Sequence, residues 1–298
     1  MALHQHTHAQ PMLQASGHAH RAGPTSQQPP QMEMPDIGKY APGFPQPPTF
    51  EDPYEEREYL KGRLAAAFRI FGAKGFGKGV AGHISCRDPV EPNTFWLNAF
   101  GQSFATIRRS DLVRVDHQGN VLQAGRYRLI NRAAIMIHVA VHEARPDVLC
   151  VAHSHSIYGR AFSALKMDLP ILSQDACMFH NDLSILGFEG IVLEGDEGTH
   201  IANALGKRKA ILLENHGLLT ASNTIEATVF WYVSLEELCQ GALLSLAAVG
   251  GDLGKLSIVE DQFAEVTYKS VGLPLSGWFS AKPLFDEIAE QTHESYLA

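Results

Sequence analysis

Long apolar runs are missing from this 298-residue chain. No stretch approaches the roughly 18 to 20 residues that a membrane-spanning helix needs. An excess of positive charge is missing as well. Lysine and arginine number 24 against 32 acidic residues, a formal net charge of -8, which argues against nucleic acid or an anionic membrane as the main partner. Cysteine is scarce: Cys86, Cys150, Cys177 and Cys239 stand far apart with no CxxC pair. They read as reduced thiols of a cytosolic protein, and a cysteine-held zinc is not expected. The N-terminus lacks a basic head followed by an apolar segment, so it does not read as a secretory signal.

Proline is unevenly placed. Nine of the 16 prolines fall in the first 48 residues, together with His4, His6, His8, His18 and His20 and little apolar periodicity. Residues 1–48 are expected to form a disordered His/Pro-rich arm, and residues 49–298 one α/β domain with an aromatic, helical C-terminal extension. Order should begin with a helix capped by Asp52, with Pro53 in its first turn and Leu60, Leu64, Ala67, Phe68 and Phe71 at helical spacing. Short strands fit "GHISCRD", "TFWLNAF" and "LVRVD". A second helix fits "NRAAIMIHVAVHEAR", and "DVLCVAHSH", "GIVLEG" and "AILLENHG" read as strands. "EGTHIANALGK" and the long segment capped by Thr224 read as helices.

The chemistry-bearing feature is "VLCVAHSHSIYGRAF". In a strand, residues i and i+2 share a face, so His153 and His155 project together with Ser154 opposed. Two imidazoles so placed can meet one ion at about 2 Å. "LLENHGLLT" adds His216 at the end of another apolar run. Three histidines at strand ends give a three-nitrogen set with open positions, the arrangement of a catalytic metal rather than a closed structural one. His138 and His142 lie at i, i+4 without the glutamate of HExxH and read as packing residues.

"HEARPDVLCVAHSHS" followed by "LLENHGLLT", with "GVAGHISCRDP", "WLNAFGQSF" and "DLVRVD", resembles the class II aldolase and adducin head domain family over about residues 55–250. The resemblance implies a three-layer α/β/α sandwich with a central, mainly antiparallel sheet. It implies a divalent metal, usually zinc, held by His153, His155 and His216, and a homotetramer with sites at subunit interfaces. It also exposes departures. The family's acid/base glutamate matches Ala134, and the two serines before it match Arg132 and Ala133. The asparagine of the first phosphate loop matches His83, and the hydroxyl-plus-glycine turn is Phe100-Gly101. An alanine cannot transfer a proton, so a phosphorylated sugar is a poor substrate for this site, although Gly82, Ser85 and Gly101 remain.

"INRAAIMIH", "AHSHSIYGRAFSAL" and "SQDACMFHND" are similar to a branch of secondary metabolism, the decarboxylase-like enzymes of aminocoumarin antibiotic pathways. That branch implies lyase or non-haem iron(II) oxygenase chemistry on aromatic oxo or hydroxy acids. Zinc, with iron(II) or manganese as alternatives, is the expected cofactor and a small acid the expected partner. Candidate replacements for the lost glutamate are Glu214, two before His216 and expected on the same strand face, His83 and Tyr158. Arg132 is a candidate to pair with a substrate carboxylate, and Gly101 and Ser85 are the remaining substrate-loop candidates. "SGWF", Ser276 to Phe279, is a candidate wall for an aromatic pocket. A non-catalytic, adducin-like interaction domain is the alternative that the vacancy at Ala134 favours.

Overall fold

The computed structural model describes residues 43–188 and 196–298. The expected arm lies outside them except for 43–48, as does the strand expected at "GIVLEG". Within 43–48, Phe44 already packs on Phe279, with ring centroids 4.6 Å apart, so part of the segment assigned to the arm is in contact with the domain.

The first helix, α1 (Pro53–Ala73), starts as its sequence predicts. The Asp52 carboxylate accepts from the Tyr54 N–H at 2.8 Å, and Pro53 needs no N–H partner there. Leu64, Phe68 and Phe71 are fully buried, and truncating a ring such as Phe68 to alanine is worth about 3–5 kcal/mol. Eight strands then form one sheet: β1 (His83–Arg87), β2 (Thr94–Leu97), β3 (Val113–Asp116), β4 (Val121–Gln123), β5 (Cys150–Ser154), β6 (Leu183–Leu186), β7 (Ala210–Leu213) and β8 (Gly217–Ser222). Their order is β4-β3-β2-β1-β5-β8-β7-β6. Every neighbouring pair is antiparallel except β6 with β7.

The sheet is covered on both faces because its strands alternate between two apolar layers. Ile84, Cys86, Cys150, Ala152, Leu212 and Leu218 pack toward α1 and the long helix α5 (Ile225–Ala248), with α3 (Ile157–Ser163) on the same side. Val151, Ile211, Leu213, Leu219 and Ala221 pack toward α2 (Arg132–Ala144) and α4 (Asp196–Leu205). Phe95, Val113 and Val115 extend the α2 side through Ile135 and Val139. The result is the three-layer α/β/α sandwich with a mainly antiparallel sheet. No helix among the described residues is long and apolar enough to cross a membrane.

The C-terminal helices α6 (Asp261–Val271), α7 (Pro274–Ser280) and α8 (Lys282–Thr292) close the α5 side. Phe285 and Ile288 enter the main core. Gly277 lies against the Trp231 ring of α5, so "SGWF" packs on a helix and does not wall the histidine cavity. Lys209, buried with Asp182 at 3.0 Å and the Met178 and Gly272 carbonyls as acceptors, ties α6 to the sheet. Burial pulls its pKa down to about 8.

Candidate metal centre

His153 stands on β5, facing the α2 side, while Ser154 faces the other way and donates to the Phe76 carbonyl. His155 follows immediately after the strand. The two rings still meet, as the sequence suggests, although His155 itself lies outside the strand. His216 arrives differently. Glu214, Asn215 and His216 form the turn between β7 and β8, with Asn215 at φ +54°. Gly217, at φ +156°, brings the turn so close to β5 that a Cβ there would sit 2.7 Å from the Ser154 carbonyl oxygen. Such close backbone approach is a reason for glycine at that position.

The three rings converge. Their centroids lie 5.2 Å apart for His153–His155, 4.8 Å for His153–His216 and 4.8 Å for His155–His216. One donor nitrogen from each falls within 4.8 Å of the others. An ion about 2 Å from each tetrahedral donor sets them about 3.3 Å apart, a spacing within the spread seen here. His153 Nδ1 lies 2.8 Å from the Leu218 carbonyl oxygen. A carbonyl can only accept, so Nδ1 carries the proton and Nε2 keeps its lone pair for the ion.

Electrostatics favour the ligating form. Burial, followed by the neighbouring His216, His83 and His155, holds His153 well below the usual imidazole pKa. Burial takes His216 down to about 4, and burial and then the Arg160 charge lower His155. Three neutral imidazoles at neutral pH are the protonation state that divalent-metal binding requires.

The histidines open onto a cavity of about 430 Å³. Its walls are apolar: Val80 and Ala81 before β1, Phe100, Phe188, and Ala133, Ala134 and Ile137 of α2. Asn131, Asn215, Arg160 and His83 supply the other polar groups. Among the described residues, no carboxylate and no hydroxyl side chain lines it. A roomier cleft of about 540 Å³, against α5 near Pro170 and Leu172, holds no histidine.

Of the residues named from the sequence, His83 is in the cavity. It is partly buried, its ring stacks on His153 at 5.6 Å, and its two ring nitrogens are buried without a hydrogen-bond partner. The remaining candidates fall elsewhere. Glu214 is in the turn, so strand alternation does not apply to it. It borders a smaller cleft that His216 and Phe188 also line, with Leu186, Gly187 and His200, and is not among the converging donors. The Tyr158 side chain is outside the lining, and its backbone N–H donates to Glu236. Arg132 is exposed and donates to the Gln118 carbonyl at 3.2 Å. Ser85 is buried under α2, its hydroxyl between His138 Nδ1 at 2.7 Å and His142 Nε2 at 2.9 Å. Gly101 borders an adjacent cleft with Gln102, Arg108 and Arg126, sharing only the Phe100 wall with the histidine cavity.

Two residues unmarked by sequence reading matter here. Glu236 of α5 is buried and accepts from the Ser156 hydroxyl, the Tyr158 N–H at 2.8 Å and the Gly159 N–H at 2.7 Å. It therefore pins the segment just after His155. Gly159 is packed so tightly that a Cβ would lie 2.9 Å from Glu236 Oε2 and 2.4 Å from Leu218 Cγ. The second is Arg160, five residues beyond His155 and in the cavity wall.

Comparison with known proteins gives the family and the fold. The model of the Class II Aldolase and Adducin N-terminal domain family matches residues 62–243. The chain is 43% identical over 257 residues to Decarboxylase NovR of Streptomyces niveus, covering 86% of this chain and 90% of that protein. It is 42% identical over 257 residues to 4-hydroxy-3-prenylphenylpyruvate oxygenase/4-hydroxy-3-prenylbenzoate synthase of Streptomyces roseochromogenus subsp. oscitans, covering 86% and 88%. Among solved structures, L-fuculose 1-phosphate aldolase from Glaciozyma antarctica PI12 superimposes with a TM-score of 0.78 at 43% identity, over 84% of this chain and 96% of that one.

Proposed function

The chain belongs to the class II aldolase and adducin N-terminal domain family, and from that premise we propose that it is a divalent-metal-dependent carbon–carbon lyase. The substrate is a non-phosphorylated oxo or hydroxy acid with an aromatic or other apolar end. The reaction is retro-aldol cleavage or decarboxylation. The observation that carries this reading is the convergence of three neutral imidazoles on an apolar cavity without a carboxylate or hydroxyl in its described lining.

His153, His155 and His216 would hold the ion, with zinc the first choice for a three-nitrogen site and iron(II) or manganese the alternatives. When bound, it supplies a Lewis acid for the oxygen-centred charge that develops as a carbon–carbon bond breaks. The Leu218 carbonyl orients His153, and Glu236 fixes the backbone just after His155. Phe100, Ile137 and Phe188 keep water from an apolar substrate end. His83, with both ring nitrogens unpartnered at the cavity, is the side chain placed to donate to a substrate oxygen or hold a transferred proton. Glu214 and Tyr158 lie outside this lining and receive no part in the step. A homotetramer in the cytosol completes the proposal, by analogy with the family.

An oxygenase is the second reading, and the name of the 42%-identical Streptomyces relative favours it. One experiment separates the two. Protein purified without oxygen is assayed for bound metal, then given aromatic 2-oxo and 2-hydroxy acids with and without O₂. Zinc or manganese with product release in both conditions supports the lyase. Iron with product only when O₂ is consumed supports the oxygenase. Metal-free protein that binds no added ion overturns both.

A further inference from the structure

Arg160 is the one guanidinium in the described lining of the histidine cavity. Its side chain makes no hydrogen bond or ion pair with any described residue. Several other arginines of the domain are engaged, Arg63 with Glu226, Arg57 with Asp88, Arg145 with Asp147 and Arg132 with the Gln118 carbonyl, while Arg126 and Arg208, which like Arg160 lack such a bond, lie outside this cavity. A guanidinium beside a dication is repelled unless an anion joins them. Its charge is already felt at His155. Among the described lining residues no carboxylate stands there, which leaves that part open to an anionic ligand.

The rest of the lining narrows the ligand's chemistry. No serine or threonine of the described lining stands ready to share the three oxygens of a phosphate with Arg160. A planar guanidinium fork matches a carboxylate through two parallel N–H···O bonds. Phe100, Ile137 and Phe188 offer apolar surface to the remainder of the molecule.

We propose that Arg160 is a specificity-determining residue that grips the carboxylate of a metal-chelating acid, whose aromatic or branched end lies against Phe100, Ile137 and Phe188. This rests on the reading of the cavity as a metal site for an oxo or hydroxy acid. Arg160 is exposed and on the first turns of α3, and Glu236, not Arg160, holds that helix in place, so substitution leaves the fold intact.

The test uses the full chain loaded with cobalt(II), whose visible absorption reports ligands entering the coordination sphere. Phenylpyruvate is the carboxylate probe, phenyl phosphate the phosphate probe and imidazole a neutral ligand. Phenylpyruvate is expected to change the wild-type spectrum and to bind more tightly than phenyl phosphate. R160Q is expected to raise the phenylpyruvate Kd by about tenfold or more, the usual consequence of losing hydrogen bonds to a charged group. R160K, which keeps the charge but not the fork, is expected to fall between. Cobalt(II) affinity and the imidazole response should stay at wild-type values in both variants. An unchanged phenylpyruvate Kd in R160Q overturns the assignment of Arg160 and leaves the proposed function standing. Equal or tighter binding of phenyl phosphate overturns the carboxylate assignment. Parallel loss of cobalt(II) affinity overturns it too, by showing that Arg160 supports the metal loop. A wild-type spectrum indifferent to phenylpyruvate overturns the proposed function itself.

Discussion

Replacing Glu236 by glutamine should loosen the metal centre from behind, although Glu236 touches neither the cavity nor a histidine ring. Its carboxylate accepts three hydrogen bonds: from the Ser156 hydroxyl, from the Tyr158 N–H at 2.8 Å and from the Gly159 N–H at 2.7 Å. An amide presents one acceptor oxygen and one NH₂ to these donors. At least one buried donor then loses its partner, at about 1–3 kcal/mol. The bonds that survive lose their charge assistance, which roughly halves their strength. Together these cost about 2–4 kcal/mol of stability. Because the freed segment begins one residue after His155, metal affinity should fall about 10- to 100-fold, the usual scale for removing a group that orients a ligand. Glu226 provides the control. It is buried on the same helix and paired with Arg63 at 2.6 Å, but it faces α1 and not the histidines. E226Q should cost stability, about 3–5 kcal/mol at most for a broken buried pair, while leaving metal affinity alone. Urea unfolding and competition with a chromophoric chelator measure the two quantities. E236Q with wild-type unfolding and a metal Kd within about twofold of wild type would refute the reasoning.

Three further outcomes follow from the same geometry. Burial, the principal cause, holds His138 and His142 at pKa values of about 3, below the roughly 6.5 of an unfolded chain. The unfolded state therefore takes up protons first as pH falls. Their contribution is complete above about pH 6.5 and is lost between there and about 3. At pH 5 it amounts to a loss of about 2 kcal/mol for each histidine, and urea midpoints that do not change between pH 7 and 5 would contradict it. G217A forces a Cβ to within 2.7 Å of the Ser154 carbonyl. It should cost about 2 kcal/mol or more and weaken metal binding by shifting His216 against β5; a variant with wild-type Tm and metal Kd would contradict this. R160Q should weaken phenylpyruvate binding about tenfold or more without altering cobalt(II) affinity, and equal Kd values would contradict that.

How much of this was legible in the sequence depends on whether a feature is local. The Asp52 and Thr224 caps were readable, because capping is a contact of two or three residues. So was the meeting of His153 and His155, because the two are close neighbours in the chain. For Glu214 it is the strand premise that fails: the apolar run through Leu213 suggests a continuous strand, but β7 ends at Leu213 and Asn215 adopts a left-handed conformation that turns the chain. The Asn and Gly around His216 carried that turn signal. Ser85 looked like a substrate-loop residue until β1 was placed beneath α2, where His138 and His142 claim its hydroxyl. Glu236 lies some eighty residues from the segment it pins, and nothing in "SLEELC" marks a carboxylate that faces inward. Arg160 lies within the histidine motif, yet its place in the cavity depends on the direction of α3, which the packing against α5 sets.

The central claim is that His153, His155 and His216 act together as one metal site. Metal content of the full-length chain, purified without oxygen and dialysed against buffer containing zinc, iron(II) or manganese in turn, tests it most directly. The account predicts about one ion per wild-type chain for at least one of these metals, and loss of that ion in each of H153A, H155A and H216A while the proteins remain folded. Folded wild-type protein that retains none of the three metals, or a folded H153A, H155A or H216A variant that retains the ion as tightly as wild type, would contradict it.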